Sequence, residues 1–232
     1  MFEINASRIS ALIGSIKSTF AQSNVEDEAV SLEIKKVLPL LEPLPPLTGS
    51  FSKNSHAVTR HLKDAPPAGN TYTKALLDEI FPLTELLPWR YSYPPREDAP
   101  DLGQNIAFAE IIGPKAPFHS DFVCLGLTLI GPETLYPAHH HPATELYFVL
   151  AGTAKWELNK ILNDKAPGSY ILHPSQAVHA MQTYSESLLA IYTWSGPDVR
   201  TTSVYTNSTI GDEAGQILLK KTGDKFNNVR SK

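Results

Sequence analysis

The sequence predicts a mainly β protein in which an all-β barrel follows an α-helical N-terminal extension. Three observations predict it. From about residue 105, short runs rich in β-branched and aromatic residues succeed one another. Gly, Pro, Asn and Asp punctuate them at the spacing of an antiparallel sandwich or barrel. Before that point, apolar residues recur at helical spacing between proline-rich connectors. Across all 232 residues, hydrophobic residues make up 42% and charged residues 19%, enough apolar material for a sizeable core and too little charge for a disordered chain.

Taken in order, Ile9, Leu12, Ile13, Ile16 and Phe20 form the first helical stripe, with Ser7 as its expected cap. Val30, Ile34, Val37 and Leu38 form a second, ended by Pro39, and Leu76, Leu77, Ile80 and Phe81 a third, stopped near Pro82. The connectors DAPPAG and YPPREDAPDLG discourage regular structure. Strands are expected within residues 106–112, 121–131, 145–152, 153–159, 168–174, 177–184 and 187–195. The expected organisation is a helical extension over 1–104 packed on a barrel over 105–207, then a polar tail over 208–232.

Composition excludes several function classes. The net charge of −4 argues against nucleic acid or an anionic membrane surface as partner. The single cysteine, Cys124, allows neither an intrachain disulfide nor a cysteine-based zinc motif, and its apolar strand suggests a small buried hydrophobe. No apolar run approaches the roughly 18 residues of a membrane span. The opening stretch, MFEINASRIS, has no apolar core of a secretory signal, so the expectation is a soluble, cytoplasmic protein.

Five of the eight histidines, His139, His140, His141, His173 and His179, fall within 41 residues of the barrel region, 139–179. Strand alternation puts His139 and His141 on one face and His140 on the other; Glu145 then opens a strand on which Tyr147 shares its face. Imidazole and carboxylate together suit zinc, iron, manganese, nickel or copper better than calcium or magnesium. A merely polar cluster is the alternative.

The stretch from His139 reads H-x-H-x3-E-x6-G and ends at Gly152; that from Gly168 reads G-x5-P-x-Q-x2-H and ends at His179. These resemble the two cupin motifs. Gln176 replaces the usual glycine of the second, Thr183 replaces a common asparagine, and Gly131 lies two residues further upstream of the histidines than usual. The resemblance implies a jelly-roll β-barrel, with His139, His141, Glu145 and His179 as candidate ligands of one divalent transition metal ion: zinc, manganese or iron. Tyr136, the HHHPATELY core with Tyr147, and Trp194 narrow the resemblance to cupin-type dimethylsulfoniopropionate (DMSP) lyases; the helical extension and length look most like the DddL branch.

That resemblance implies cleavage of DMSP, a zwitterionic sulfonium carboxylate, into dimethyl sulfide and acrylate by β-elimination, with Tyr147 as the base. A nearby cation favours a phenolate and would bring Tyr147 down from the ordinary tyrosine range near 10. A sulfonium suits aromatic faces, which makes Tyr136, Tyr192 and Trp194 candidate substrate-binding residues. Plain packing is expected for Trp89, Tyr91 and Tyr93, a surface or supporting place for His140, and no defined role for His173. Alternatives are an Fe(II) dioxygenase of the same fold and a non-enzymatic ligand-sensing cupin. The apolar helix faces could pack on the barrel or form a homodimer contact.

Overall fold

The computed structural model describes residues 2–52, 54–97 and 99–206, with side chains from residue 5 onward. The polar tail expected over 208–232 therefore lies outside the described residues. Helix α1 (Phe2–Ala21) buries Ile9, Leu12, Ile13, Ile16 and Phe20, the predicted stripe. It starts upstream of Ser7 because no Gly or Pro interrupts residues 2–13. Helix α2 (Glu28–Leu40) is capped by Asp27, whose carboxylate accepts from the backbone N–H groups of Ala29 and Val30. It ends one residue beyond Pro39. Helix α3 (Arg60–Asp64) is short, and α4 (Lys74–Ile80) runs on into a 3-10 turn over Phe81–Leu86. Pro82 does not stop that element: it stands in the first turn, where no intrahelical N–H is needed.

Among the described residues, twelve strands form two sheets. The first contains β1 (Trp89–Arg90), β2 (Ile106–Gly113), β4 (Val123–Ile130), β11 (Leu188–Ser195), β6 (Thr144–Ala151) and β9 (Tyr170–His173), in that order, with β3 (Phe118–His119) paired to β2. The second has the order β12 (Val204–Tyr205), β5 (Leu135–His140), β10 (His179–Thr183), β7 (Ala154–Leu158) and β8 (Ile161–Lys165). Apart from the parallel β2–β3 pair, all pairings are antiparallel. This is the jelly-roll arrangement expected, preceded by helices, with α5 (Leu102–Asn105) leading into β2.

Strands β1, β3, β5, β8 and β12 lie outside the expected strand ranges. Trp89 and Arg90 add an edge strand to the first sheet. Strand β8 is polar and lacks alternation; it exists because Asn159 and Lys160 both take positive φ, 49° and 68°, and close a two-residue hairpin between Leu158 and Ile161.

The first sheet is buried on both faces. Along β6, Leu146, Phe148 and Leu150 join the core formed with α1, α2 and α4, whereas Tyr147 and Val149 belong to the core between the sheets. Along β11, Leu189 and Ile191 face the helices, and Leu188, Ala190 and Tyr192 face the barrel interior. Burying each large apolar side chain is worth about 1.5–3 kcal/mol, so the helices supply the cover that fixes β6 and β11 in register. Those strands carry one wall of the site. Among the described residues no helix is long and apolar enough to cross a membrane.

Candidate metal centre and active site

Backbone pairing brings the predicted residues together. In the first sheet Glu145 stands opposite His173 on β9 and Trp194 on β11. In the second, His139 stands opposite His179. His139, His141, Glu145 and His179 are all buried, between 0% and 3% exposed. His140 points elsewhere, and its Nδ1 lies 2.6 Å from Gln176 Oε1. Gln176 itself has φ +64°, the left-handed conformation that the usual glycine adopts without strain, and its N–H donates to the His141 carbonyl.

Each of the three clustered histidines is oriented by a backbone carbonyl two residues away. His139 Nδ1 is 2.8 Å from Pro137 O, His141 Nδ1 3.0 Å from Ala143 O, and His179 Nδ1 2.8 Å from Ala177 O. Carbonyl oxygens only accept, so each Nδ1 carries the proton. In the neutral rings Nε2 is then the lone-pair atom, and ligand atoms of these three histidines lie within 4.8 Å of one another. Such locking of the distal nitrogen is the usual support of a metal-ligating imidazole.

Glu145 is the hub of the cluster. Its Oε2 lies 3.2 Å from His141 Nε2, 3.2 Å from His179 Nε2 and 2.9 Å from His173 Nδ1, while Trp194 Nε1 donates to Oε1 at 2.7 Å. Burial alone would raise its pKa, but the charge of His141 and the hydrogen bonds from His141 and His173 hold it well below the carboxylate range. Burial and the neighbouring His179 push His139 well below the usual histidine value. For His141 burial works downward but Glu145 outweighs it, and the ring is raised.

Does this donor set fit a metal ion? His179 Nε2 is buried and has no hydrogen-bond partner among the described residues. It faces a carboxylate oxygen with a lone pair, and two acceptors at 3.2 Å repel unless a cation joins them. A divalent ion ligated by imidazole nitrogen and carboxylate resolves this conflict.

A second grouping, Glu145, His173 and His179, also brings ligand atoms within 4.8 Å. The hydrogen bonds of His173 decide its part. Trp156 Nε1, which can only donate, gives a 2.9 Å bond to His173 Nε2, so Nδ1 carries the proton and donates to Glu145. Both its nitrogens are thereby engaged. Burial, and then His179, pull its pKa down to about 3, so it is neutral at neutral pH.

The cluster opens on a cavity of about 210 Å³ to which His139, Glu145, Tyr136, Tyr147, Tyr192 and Trp194 all contribute. Tyr136 stacks on His139 at 4.1 Å between ring centroids, and Trp194 lies over His141 at 4.3 Å. Tyr147 is 1% exposed, and Thr128 Oγ1 lies 3.4 Å from its hydroxyl, which can accept from it. Burial, then the Glu145 charge, push this phenol well above 10, the opposite of the sequence-based expectation, which counted on an added cation.

A sequence profile of the dimethylsulfoniopropionate lyase family matches residues 48–190 of this chain. The chain belongs to this family. Such lyases are carbon–sulfur lyases. The dimethylsulfoniopropionate lyase DddQ of Ruegeria pomeroyi is 30% identical over 146 residues, covering 62% of this chain and 72% of the relative. A DddL-type protein of Cereibacter sphaeroides is 37% identical over 118 residues; the match covers 49% of this chain and about half the length, 48%, of that relative. Both branches are represented, the one expected from sequence by the higher identity and DddQ by the longer match. The crystal structure of DddQ from Ruegeria pomeroyi superposes with a TM-score of 0.74 at 23% identity, over 86% of this chain and 96% of that one. Another structure, from work on the DMSP lyases RdDddP and RnDddQII, gives 0.75 at 21% identity, over 88% and 100%. These superpositions establish the fold.

Within this lyase-family chain, several cavity and cluster residues went unseen in the sequence. His173 had a signal only in its place five residues beyond Gly168. Tyr93, expected to be plain packing, lines the cavity, and its hydroxyl contacts Ser203 at 3.0 Å and Tyr136 at 3.4 Å. Trp89 is buried packing as expected, with Nε1 on the Thr84 carbonyl. Cys124 is also a buried hydrophobe, its thiol pushed up by burial. Glu110, Phe108 and the segment Val199 to Ser203 complete the walls.

Proposed function

We propose that this chain cleaves DMSP to dimethyl sulfide and acrylate by base-catalysed β-elimination, with His139, His141, Glu145 and His179 holding a zinc, manganese or iron ion. The observation that carries the reading is the convergence of the carbonyl-locked His141 and His179 Nε2 atoms on Glu145 Oε2 beside a cavity with aromatic walls. A bound ion supplies a Lewis acid for the substrate carboxylate and a positive charge near Tyr147.

The chain's own groups do the rest. With the ion's charge favouring the phenolate, Tyr147 would take the proton from the carbon next to the carboxylate at its deprotonated oxygen, which Thr128 orients through the 3.4 Å contact. The released electron pair becomes the new carbon–carbon double bond while the carbon–sulfur bond breaks. Dimethyl sulfide leaves as a neutral molecule. Tyr136, Tyr192 and Trp194 surround the substrate with aromatic faces suited to a sulfonium, and the burial of Tyr136 and Tyr192 keeps water from the reacting carbon. Trp194 has a second task, since its N–H fixes Glu145. His173 fixes the other carboxylate oxygen.

The test is a sealed-vial assay of purified protein with DMSP, reading headspace dimethyl sulfide and soluble acrylate. Equimolar products that disappear with a chelator and return with added metal are expected. Tyr147→Phe at matched metal content should lower kcat by about 10²–10⁴-fold, the usual worth of a positioned base. Activity surviving that change would remove Tyr147 as base, and absence of products with all three metals would sink the lyase reading.

A further inference from the structure

Across the inner face of the first sheet, one row of residues runs from β2 to β6. Glu110 stands opposite Gly126, Gly126 opposite Tyr192, and Tyr192 opposite Tyr147. Gly126 shapes this row. A Cβ there would come within 2.7 Å of Tyr192 Cε1 and 2.6 Å of the Ala109 carbonyl oxygen, so the Tyr192 ring lies over bare backbone beside β2. Phe108, also on β2, meets that ring edge-on at 6.5 Å between centroids.

Glu110 lies at the far end of the row from Tyr147, three strand spacings or about 14 Å of sheet away. It is withdrawn from water, with 19% of its side chain exposed. Lys115, which also lines the cavity, donates its backbone N–H to the carboxylate and attracts it through its charge, yet Oε1 has no hydrogen-bond partner among the described residues. Arg90 stands 3.6 Å from Oε1, beyond a normal hydrogen bond, and is itself 43% exposed. Arg200, the other guanidinium on the cavity, is held by Asp121. A half-satisfied carboxylate with little contact with water is costly unless a cation approaches it.

The cavity is therefore polar in one direction. One end has the histidine cluster, the other an under-partnered carboxylate flanked by two aromatic rings. A small zwitterion fits it one way round. We propose that Glu110 is a specificity-determining residue, whose carboxylate, with the faces of Phe108 and Tyr192, receives the dimethylsulfonium end of the substrate while the carboxylate end lies at the histidine cluster. This rests on the lyase reading above. It also carries a kinetic signature. The positive charge is present in the bound substrate and vanishes as the carbon–sulfur bond breaks, so Glu110 stabilises the ground state more than the transition state.

The experiment compares the metal-loaded wild type with Glu110→Gln, using DMSP as substrate and 4-methylpentanoate as inhibitor. The inhibitor has the same shape with a neutral CH in place of the sulfonium. Glu110→Gln should raise the KM for DMSP about tenfold, as loss of a charge partner does, and raise kcat by up to the same factor, with the inhibitor constant within about twofold of wild type. Glu110→Asp, which keeps the charge, should recover most of the loss. The double variant Glu110→Gln/Arg90→Gln should keep the high KM. A double variant that returns to wild-type KM would show that Glu110 merely silences Arg90, and would overturn the proposal. So would an unchanged KM in Glu110→Gln, or a parallel rise of KM and inhibitor constant. A wild type that releases no dimethyl sulfide would instead fell the lyase reading, and this proposal with it.

Discussion

His173 and Trp194 grip the two oxygens of Glu145 from opposite sides, at 2.9 and 2.7 Å, and Trp156 in turn fixes the tautomer of His173. Replacing His173 by Ala leaves a buried indole N–H and a carboxylate oxygen short of a partner. The expected loss is about 1–3 kcal/mol of stability per orphaned group, measured by denaturant unfolding. Metal affinity, followed by competition with a chromophoric chelator, should fall about 10–100-fold, as with other supports of a metal ligand. An unchanged affinity would make His173 a packing residue only. Its part was illegible in the sequence for a physical reason: the bond to Glu145 depends on β6–β9 register, a pairing between residues 28 positions apart. Gln176 shows the converse. Its departure from glycine is visible in the sequence, but only the fold shows its side chain meeting His140.

Strand β6 carries Glu145 and Tyr147 on one face and the helix-facing residues Leu146, Phe148 and Leu150 on the other. Phe148 is fully buried and meets Tyr170, Tyr72 and Phe20 at 4.5, 5.8 and 6.1 Å between ring centroids. Phe148→Ala should cost about 3–5 kcal/mol by thermal or denaturant unfolding. Since the ring points away from the cavity, KM for DMSP should stay near the wild-type value below the unfolding temperature. A large KM change would mean that the strand shifts as a unit. Most of this element was legible, because alternation is enforced wherever a strand must satisfy two different faces. The short elements were not. In β8 a Lys stands where a glycine would have announced the hairpin, and β1 is only two residues long. Near Pro82 the α-helix does stop, at Ile80, but the chain goes on as a 3-10 segment whose first turn tolerates the proline.

At the scale of the molecule, one continuous apolar cluster joins Ile9 of α1 and Val37 of α2 to Leu127 of β4 and Ile191 of β11. Helices and barrel should therefore unfold in one cooperative transition, with far-ultraviolet and tryptophan signals coincident. Trp156 and Trp194 report the barrel from inside, and Trp89 the joint with the helices. Two separated transitions would show the helical part to be an independent unit. The mainly β class and the helical lead were readable from texture and two short motifs, while which strands the helices cover was not. The coating of a sheet by preceding helices is set by which face of each strand is apolar, and β6 and β11 are apolar on both.

The double burial of β6 also bears on time. Its backbone amides lie under helices on one side and beneath the aromatic wall on the other, hydrogen-bonded to β9 and β11 along its length. Amides in such a position exchange with deuterated solvent only when the whole fold opens. Residues Leu146 to Leu150 should then be the slowest-exchanging peptide of the chain, whereas the walls contributed by Tyr93 and Ser203 should label early. Traffic into and out of the buried centre would pass at the pace of those two thin segments, and the strand that carries Glu145 and Tyr147 would stay still while it does.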